Sequence, residues 1–276
     1  MILHWKVHLD TMENMQCKGL TLVEIVVVIS ILAVLITVII GPAEGCRQRV
    51  RTVTCQSNLK QLFVSFQVYE FDNGTFPSAF YGDPPLSPPP TGFAGNAACD
   101  RRGWWWFDYL DLSEHIDKPS VLWCPSRKTN HWRIDNILHG NYGVNQSVCR
   151  RFSSSRREKG VIGPPLSSLQ IPNPTETLLL LDSGYAAIAW WHAADESPHK
   201  LSSEVLDTAY VPGMTINTNK KLWPGQHADA LHGRHFSRRV NTVLADGHVE
   251  ARPSENLTVS RGEAKYENRC PLWIPE

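Results

Sequence analysis

Residues 20–40 constrain the fold of this chain more than any other stretch, because these 21 mostly apolar residues include one charged side chain, Glu24. A helix rises about 1.5 Å per residue, so the stretch would be about 31 Å long, close to the thickness of a bilayer's hydrocarbon core. Residues 25–29 are all β-branched, which suits a strand, but a lone strand in lipid leaves its backbone groups unpaired. The sequence therefore predicts a transmembrane helix over residues 20–41.

Glu24 needs a partner in such a helix. A carboxylate at the centre of a bilayer costs about 2.5–3.5 kcal/mol, less near an end, and such groups are usually paired. No Lys or Arg lies within a helical turn of it, since Lys18 precedes the apolar run and Arg47 follows it. Cleavage after Gly19 would create an α-amino group at Leu20, which a neighbouring subunit could supply. Glu24 is therefore predicted to act in assembly.

The residues Lys18-Gly19, followed by Leu-Thr-Leu-Val-Glu and an apolar helix, resemble the class III signal of type IV prepilins and type II secretion pseudopilins. The resemblance implies a leader peptide over residues 1–19 that a prepilin peptidase removes between Gly19 and Leu20. It also implies N-methylation of Leu20, with Glu24 pairing with the amine of a neighbouring pilin-like subunit. An ordinary secretory signal differs, because its apolar region precedes the cut.

The basic residues around the span favour a cytoplasmic location for the large C-terminal domain. Four follow it at Arg47, Arg49, Arg51 and Lys60, against Lys6 and Lys18 before it, which would place the large domain in the cytoplasm. The class III signal is a more specific indicator of topology than this count of basic residues. We therefore expect a single-pass protein of the bacterial inner membrane with a periplasmic or extracellular C-terminal domain, the alternative being an ordinary uncleaved anchor.

Composition limits the remaining possibilities. Lys plus Arg total 27 and Asp plus Glu total 27, so the net charge is zero and nucleic acid is not an expected partner. Outside the leader, which holds Cys17, six cysteines remain, an even number that suits an oxidising compartment and up to three disulfides of open pairing. Cys46 and Cys55 are too far apart along one predicted helix to bridge each other.

After the span, the sequence predicts an amphipathic continuation of the helix over residues 42–75 and a single head domain over residues 76–276. Asn73-Gly74 and Pro77 are typical of a helix end. Short apolar runs at 177–181 and 240–245 favour strands, and Asp246-Gly247 indicates a hairpin turn. The expected fold class is α+β, a long helix packed on a mainly antiparallel β head, as in pilins. The apolar positions of this helix are Val50, Val53, Leu59, Leu62, Phe63, Phe66 and Tyr69. Its first part is predicted to stand clear of the membrane, and its later turns to press an apolar face onto the head.

Several motifs in the head resemble pseudopilin-like proteins with a processing-associated H-X9-DG domain, the DUF1559 type. The resemblance identifies His235, Asp246 and Gly247 as the family motif. Ten residues rather than nine separate His235 from Asp246, so a bulge or a longer turn is expected there. The matching segments are residues 58–61, 69, 76–77, 122–126, 141–145, 174–177, 181–183, 233–235, 245–249 and 271–273.

The head has no GxSxG, P-loop or GxGxxG motif, so we expect no enzyme, no catalytic residues and no cofactor. Imidazole and carboxylate groups at His227, His232, His235, Asp246 and His248 could bind a divalent ion, but their spacing does not support a metal site. The favoured interpretation is structural, with Asp246 capping a turn and His235 bonded to nearby backbone.

Two functions are consistent with these observations. The first is a structural subunit of a type II secretion pseudopilus or a type IV pilus-like filament. The second is a membrane-tethered binding protein that captures polysaccharide. The aromatic run at residues 104–107 is either a buried strand or helix start, or a carbohydrate-binding platform.

Overall fold

The computed structural model describes residues 20–81, 103–110, 120–129, 134–151, 163–198 and 209–276, without the side chains of residues 38–44. The predicted leader, including Gly19, lies outside the described residues. Contacts divide the chain into two compact units, Met1–Arg47 and Gln48–Glu276. The predicted borders after residues 41 and 75 stay predictions.

Helix α1 is a single element, Leu22–Asn73, and it continues through Gly41 and Pro42. It ends where Gly74 adopts a positive φ of 76° and donates its N–H to Glu70 O at 2.7 Å. A left-handed residue at this position closes the last helical turn, and glycine accepts it without steric cost.

The side chains at residues 20–37 are all exposed in the structure. A transmembrane helix was expected over residues 20–41. Among the residues that the structure describes, no helix is sufficiently long and apolar to cross a membrane.

The later turns of α1 bury the apolar face that the sequence predicts to pack on the head. Cys55, Leu59 and Leu62 are fully buried, whereas Val50 and Val53 are 60% and 63% exposed. At about 100° per residue, the two valines lie about 140° and 160° around the helix from Cys55. Both valines precede the packed turns and lie on the opposite side of the helix, so the packed face begins at Cys55.

A five-stranded sheet forms the centre of the second unit, in the order β5-β3-β4-β6-β7. Every strand pair in the described residues is antiparallel except β3 with β5. The chain is therefore α+β, while its pilin-like character remains a prediction. The sheet strands are β3 (Tyr142–Asn145), β4 (Leu178–Asp182), β5 (Ala187–Ile188), β6 (Arg239–Leu244) and β7 (Val249–Pro253), and the short pairs are β1 (Phe80–Tyr81) with β2 (Trp104–Trp105) and β8 (Ser260–Arg261) with β9 (Tyr266–Glu267).

The sheet is covered on both faces. Leu180 and Leu181 are adjacent in β4 yet belong to different clusters of buried side chains, and adjacent residues of a strand point to opposite faces. The cluster around Leu180 includes the buried face of α1, and the cluster around Leu181 includes Trp273 near the C-terminus. Burial on both faces explains the continuous leucine run of β4.

The aromatic run at residues 104–107 belongs to the core. Trp105, Trp106 and Phe107 are buried, and the Trp106 ring lies 5.6 Å from that of Phe66 on α1. The Trp106 indole donates its N–H to Ala186 O at 2.9 Å. Of the two predicted alternatives, the structure corresponds to the buried strand.

Candidate functional site

Two residues of the predicted family motif contact helix α1. His235 Nδ1 lies 3.0 Å from Thr52 Oγ1, and Gly247 O accepts a hydrogen bond of 2.8 Å from Lys60 Nζ. Gly247 also lies directly against the Phe63 ring. We call this contact between α1 (Thr52, Lys60, Phe63) and the head (His235, Gly247) the helix seam.

Both the backbone conformation of the turn and the contact with Phe63 require a glycine at position 247. The chain reverses after β6 with a hydrogen bond from Gly247 N to Leu244 O, and Gly247 has a φ of 87°. A Cβ atom at this position would lie 2.1 Å from Phe63 Cε1. Asp246 accepts a hydrogen bond at Oδ1 from His248 N at 2.9 Å, which stabilises the turn. The Asp-Gly pair therefore shapes a turn that α1 packs against.

His235 links α1 to the middle of the sheet. Its Nε2 lies 3.0 Å from Asp182 Oδ2 at the end of β4. Burial alone would lower the pKa of His235, but the charge and hydrogen bond of Asp182 raise it to about 9. The ring is therefore protonated at neutral pH and donates from both nitrogens, to Thr52 and to Asp182.

Asn241 completes the surroundings of this ion pair. Its backbone N–H donates to Asp182 Oδ2 at 2.8 Å, and its side-chain amide lies 2.8 Å from His235 Nε2. A protonated ring favours the amide orientation with Oδ1 toward it.

Arg234 forms a second buried ion pair beside the first. Its Nε and Nη2 each lie 2.8 Å from the carboxylate oxygens of Asp229, which is in helix α2 (His227–His232). Tyr210 donates its hydroxyl to the same carboxylate at 2.8 Å. Arg234 Nη1 donates to Asn141 O at 2.6 Å, directly before β3.

The charges of this network stabilise one another. Burial raises the pKa of Asp182, but the nearby His235 and Arg234 charges and the hydrogen bonds outweigh it and hold that pKa below its usual value. Burial likewise lowers the pKa of Arg234, while Asp229 raises it to well above its usual value. Buried charges of this kind persist only when they are paired and hydrogen-bonded.

Two cysteines lie at the same place in the seam. Cys55 Sγ on α1 and Cys124 Sγ are 3.0 Å apart. With a ring nitrogen of His235 they form the single group of three potential metal ligands in the described part of the chain, with ligand atoms within 4.8 Å of one another. The predicted His227, His232, Asp246 and His248 are not part of it. Since both His235 nitrogens already have partners, the group does not fit a metal ion in this arrangement.

At the start of α1, Thr21 and Glu24 form a capping box. Glu24 Oε2 accepts hydrogen bonds of 2.8 Å from both the N–H and the hydroxyl of Thr21, and Glu24 N donates to Thr21 Oγ1 at 3.3 Å. The sequence predicted a cation as the partner of Glu24, and the hydrogen bonds from Thr21 were not predicted. The signal was present as Thr-x-x-Glu before an apolar run. Leu20, the predicted new N-terminus, is exposed directly before it.

The sequence analysis also gave no role to Asp182, Arg234 or Asp229. Asp182 and Arg234 occur in segments that resemble the H-X9-DG family, but nothing in the local pattern indicates that they meet His235. Only the order of strands in the sheet brings them together.

Comparison with known proteins identifies one region. The family model described as the prokaryotic N-terminal methylation motif matches residues 14–40. No curated protein and no solved structure is significantly similar to the chain. The matched region includes the predicted cut between Gly19 and Leu20 as well as Glu24, so the chain carries the N-terminal signal of prepilin-like proteins. The resemblance of the head to the H-X9-DG family remains a prediction.

Proposed function

We propose that this protein is a prepilin-like structural subunit of the bacterial inner membrane. A prepilin peptidase cleaves between Gly19 and Leu20 and methylates Leu20, and helix α1 then holds an extracytoplasmic head. The observation that carries this proposal is the match of the methylation motif over residues 14–40. Assembly with neighbouring subunits into a pilus or pseudopilus-like filament is the finer part of the proposal.

The length and continuity of helix α1 support this proposal. The motif lies at one end of a continuous helix of 52 residues, and the helix seam holds the head on its later turns. The exposed apolar side chains of residues 20–37 need a cover, which lipid provides before assembly and neighbouring helices provide afterwards.

Glu24 has a two-stage role in this proposal. Before assembly, the Thr21 hydroxyl and N–H satisfy its carboxylate. In a filament, the methylated amine of Leu20 from a neighbouring subunit adds the positive charge that is missing within the helix. The capping box therefore holds the carboxylate in position for its partner.

We propose that the buried ion pairs of the head, among the residues that the structure describes, serve the fold rather than catalysis. Asp182, Asp229, Arg234 and His235 are each no more than 5% exposed, so a substrate would not reach them. Their contacts are all with other parts of the head or with α1, as expected for a network that holds the fold.

The proposal is tested by mass analysis of the N-terminal peptide of the mature protein from its native host. We expect a peptide that starts at Leu20 and carries one methyl group. Gly19→Val should leave the leader in place, because a side chain then occupies the cleavage position. Gly45→Val is the matched control, since its site on α1 is open space and lies outside the matched motif. An intact leader in the wild-type protein would overturn the proposal.

A further inference from the structure

Cys55 and Cys124 come from distant parts of the sequence and meet within the helix seam. Their Sγ atoms are 3.0 Å apart, and 69 positions separate the residues along the chain. Both are buried, at 0% and 3% exposure. Cys55 is on the buried face of α1, and Cys124 follows the short 3-10 turn Ser120–Leu122.

The backbone around Cys124 is held in position on both sides. Its own N–H donates to Asn141 Oδ1 at 3.1 Å, and the carbonyl before it, Trp123 O, accepts from Asn58 Nδ2 at 3.2 Å. Asn58 lies three residues after Cys55 on α1, so the same stretch of helix carries one sulfur and fixes the segment that carries the other. This anchoring brings the two sulfurs together independently of any bond between them.

We propose that Cys55 and Cys124 form a disulfide that joins helix α1 covalently to the head. A disulfide needs the two sulfurs to approach to about 2.05 Å. A zinc ion at about 2.3 Å from each sulfur would instead require them to separate to about 3.8 Å and would need further ligands. The nearest further ligand, His235, already has Thr52 and Asp182 at its two nitrogens.

The two thiols differ in reactivity. The hydrogen bond with the Cys124 thiol lowers the pKa of Cys55, whereas burial raises the pKa of Cys124 well above its usual value. In the closed seam, Cys55 is therefore the more easily ionised of the two thiols, and the thiolate is the reactive form.

The oxidation requires a disulfide-bearing oxidant, such as a thiol oxidoreductase of the extracytoplasmic compartment. The thiolate of one of the two cysteines attacks the oxidant's disulfide, giving a mixed disulfide and releasing one thiolate of the oxidant. The thiolate of the other cysteine then attacks the protein sulfur of this mixed disulfide, which releases the second thiolate. The two cysteines lose two protons and two electrons in total, and the oxidant leaves as a dithiol. Because both sulfurs are buried in the folded head, the reaction takes place before the seam closes.

This inference rests on the proposed function, since that places the head where disulfides persist. Its consequence is mechanical. Tension between the anchored helix and the head would be carried by a covalent bond at Cys55 as well as by the packing of the seam.

The test is peptide mapping without reduction of the full-length mature protein, purified from its host after free thiols are alkylated at lysis. We expect one linked pair of peptides containing Cys55 and Cys124, lighter by two hydrogens than the separate peptides. Cys124→Ser should leave Cys55 alkylated after denaturation. Cys149→Ser is the matched control, because Cys149 is also fully buried and should leave the link unchanged. Stoichiometric zinc bound through both thiols would overturn the proposal.

Refolding separates this proposal from the proposed function. The reduced full-length protein, unfolded and refolded in detergent with oxidised and reduced glutathione, should form the Cys55–Cys124 link whatever compartment the head occupies. Failure to form it there overturns the disulfide alone. An intact leader on a protein that does form the link overturns the proposed processing alone.

Discussion

Gly247 and His235 hold the same helix by different means. Gly247 lets the β6–β7 turn approach α1 so closely that a Cβ atom would overlap the Phe63 ring. His235 instead carries a charge, compensated by Asp182 within the sheet and hydrogen-bonded to Thr52 on α1. At the scale of single residues, the head is thus attached to α1 by one close contact and one buried ion pair.

Gly247→Ala should destabilise the head. Its positive φ alone costs about 1 kcal/mol with alanine, and overlap with Phe63 adds about 1–3 kcal/mol. Gly74→Ala is the matched control, because Gly74 has a φ of 76° but open space around it. The free energy of unfolding, measured with urea for both variants, should fall more for Gly247→Ala. Equal losses would show that the contact with Phe63 costs nothing.

The His235–Asp182 pair predicts a pH dependence of stability. The pKa of His235 is raised to about 9, so its contribution is complete below its unfolded pKa of about 6.5 and is lost as the pH rises through 9. The pKa of Asp182 is lowered, so its contribution is present above its unfolded value of about 3.8 and is lost in acid. The pair should therefore stabilise most between about pH 4 and 6.5. The charged and titratable groups around His235 are Asp182, Arg234, Cys55 and Cys124.

Unfolding by urea at several pH values checks this dependence. His235→Gln should be less stable than the wild type at pH 6 and should lose less stability between pH 6.5 and 9. His248→Gln, at an exposed position in the same hairpin, should follow the wild-type curve. A His235→Gln curve parallel to that of the wild type would contradict the raised pKa.

Helix α1 presents two different surfaces along its length. Residues 20–37 are exposed on all sides, whereas the turns from Cys55 to Phe66 bury one face against the sheet. The buried positions Cys55, Leu59, Leu62 and Phe66 follow steps of four, three and four. This spacing keeps them on one side of the helix. The later turns of α1 are therefore a docking surface, whereas the mostly apolar side chains of residues 20–37 are exposed.

Two substitutions test which face of α1 docks. Leu62→Ala should cost about 2–5 kcal/mol, because it leaves a cavity where a fully buried side chain was. Val53→Ala should change stability by less than about 0.5 kcal/mol, since Val53 is mostly exposed. Thermal unfolding followed by circular dichroism gives both values. A large loss for Val53→Ala would show that the opposite side of the helix also docks.

The two compact units of the molecule, Met1–Arg47 and Gln48–Glu276, contain different features. The first carries the methylation motif, and the second buries a charged network between α1, β4 and α2. In the proposed function, the first unit is processed and assembled while the second is displayed. Substitutions can therefore distinguish the role of the Glu24 charge in assembly from its role in capping the helix.

Glu24→Gln should lower incorporation into sheared filaments without preventing cleavage. Glutamine preserves the capping box with Thr21 but removes the charge that pairs with a neighbouring amine. Thr21→Val is the complementary variant, because it removes the hydroxyl and keeps the charge. We expect it to assemble nearly as well as the wild type. Normal assembly of Glu24→Gln would refute charge pairing as the basis of incorporation.

Local patterns were sufficient for much of this protein. The processing signal, the end of α1 at Gly74 and the β6–β7 hairpin at Asp246-Gly247 each depend on residues adjacent in sequence. Charge balance and the apolar run likewise needed no structure. The packing turns of α1 were predicted through Leu59, Leu62 and Phe66, whereas the exact start of the packed face depends on which residues meet the sheet.

The sequence by itself determined how this protein is marked at its N-terminus and which segments form the long helix and strands β4 and β6. The tertiary structure alone decided which residues the predicted head motif contacts, since His235 meets Asp182 and Thr52, and Cys55 meets Cys124, only after the sheet has formed. These partners are between 53 and 183 positions apart. Contacts over such separations are set by strand order and burial, which no local pattern of residues specifies.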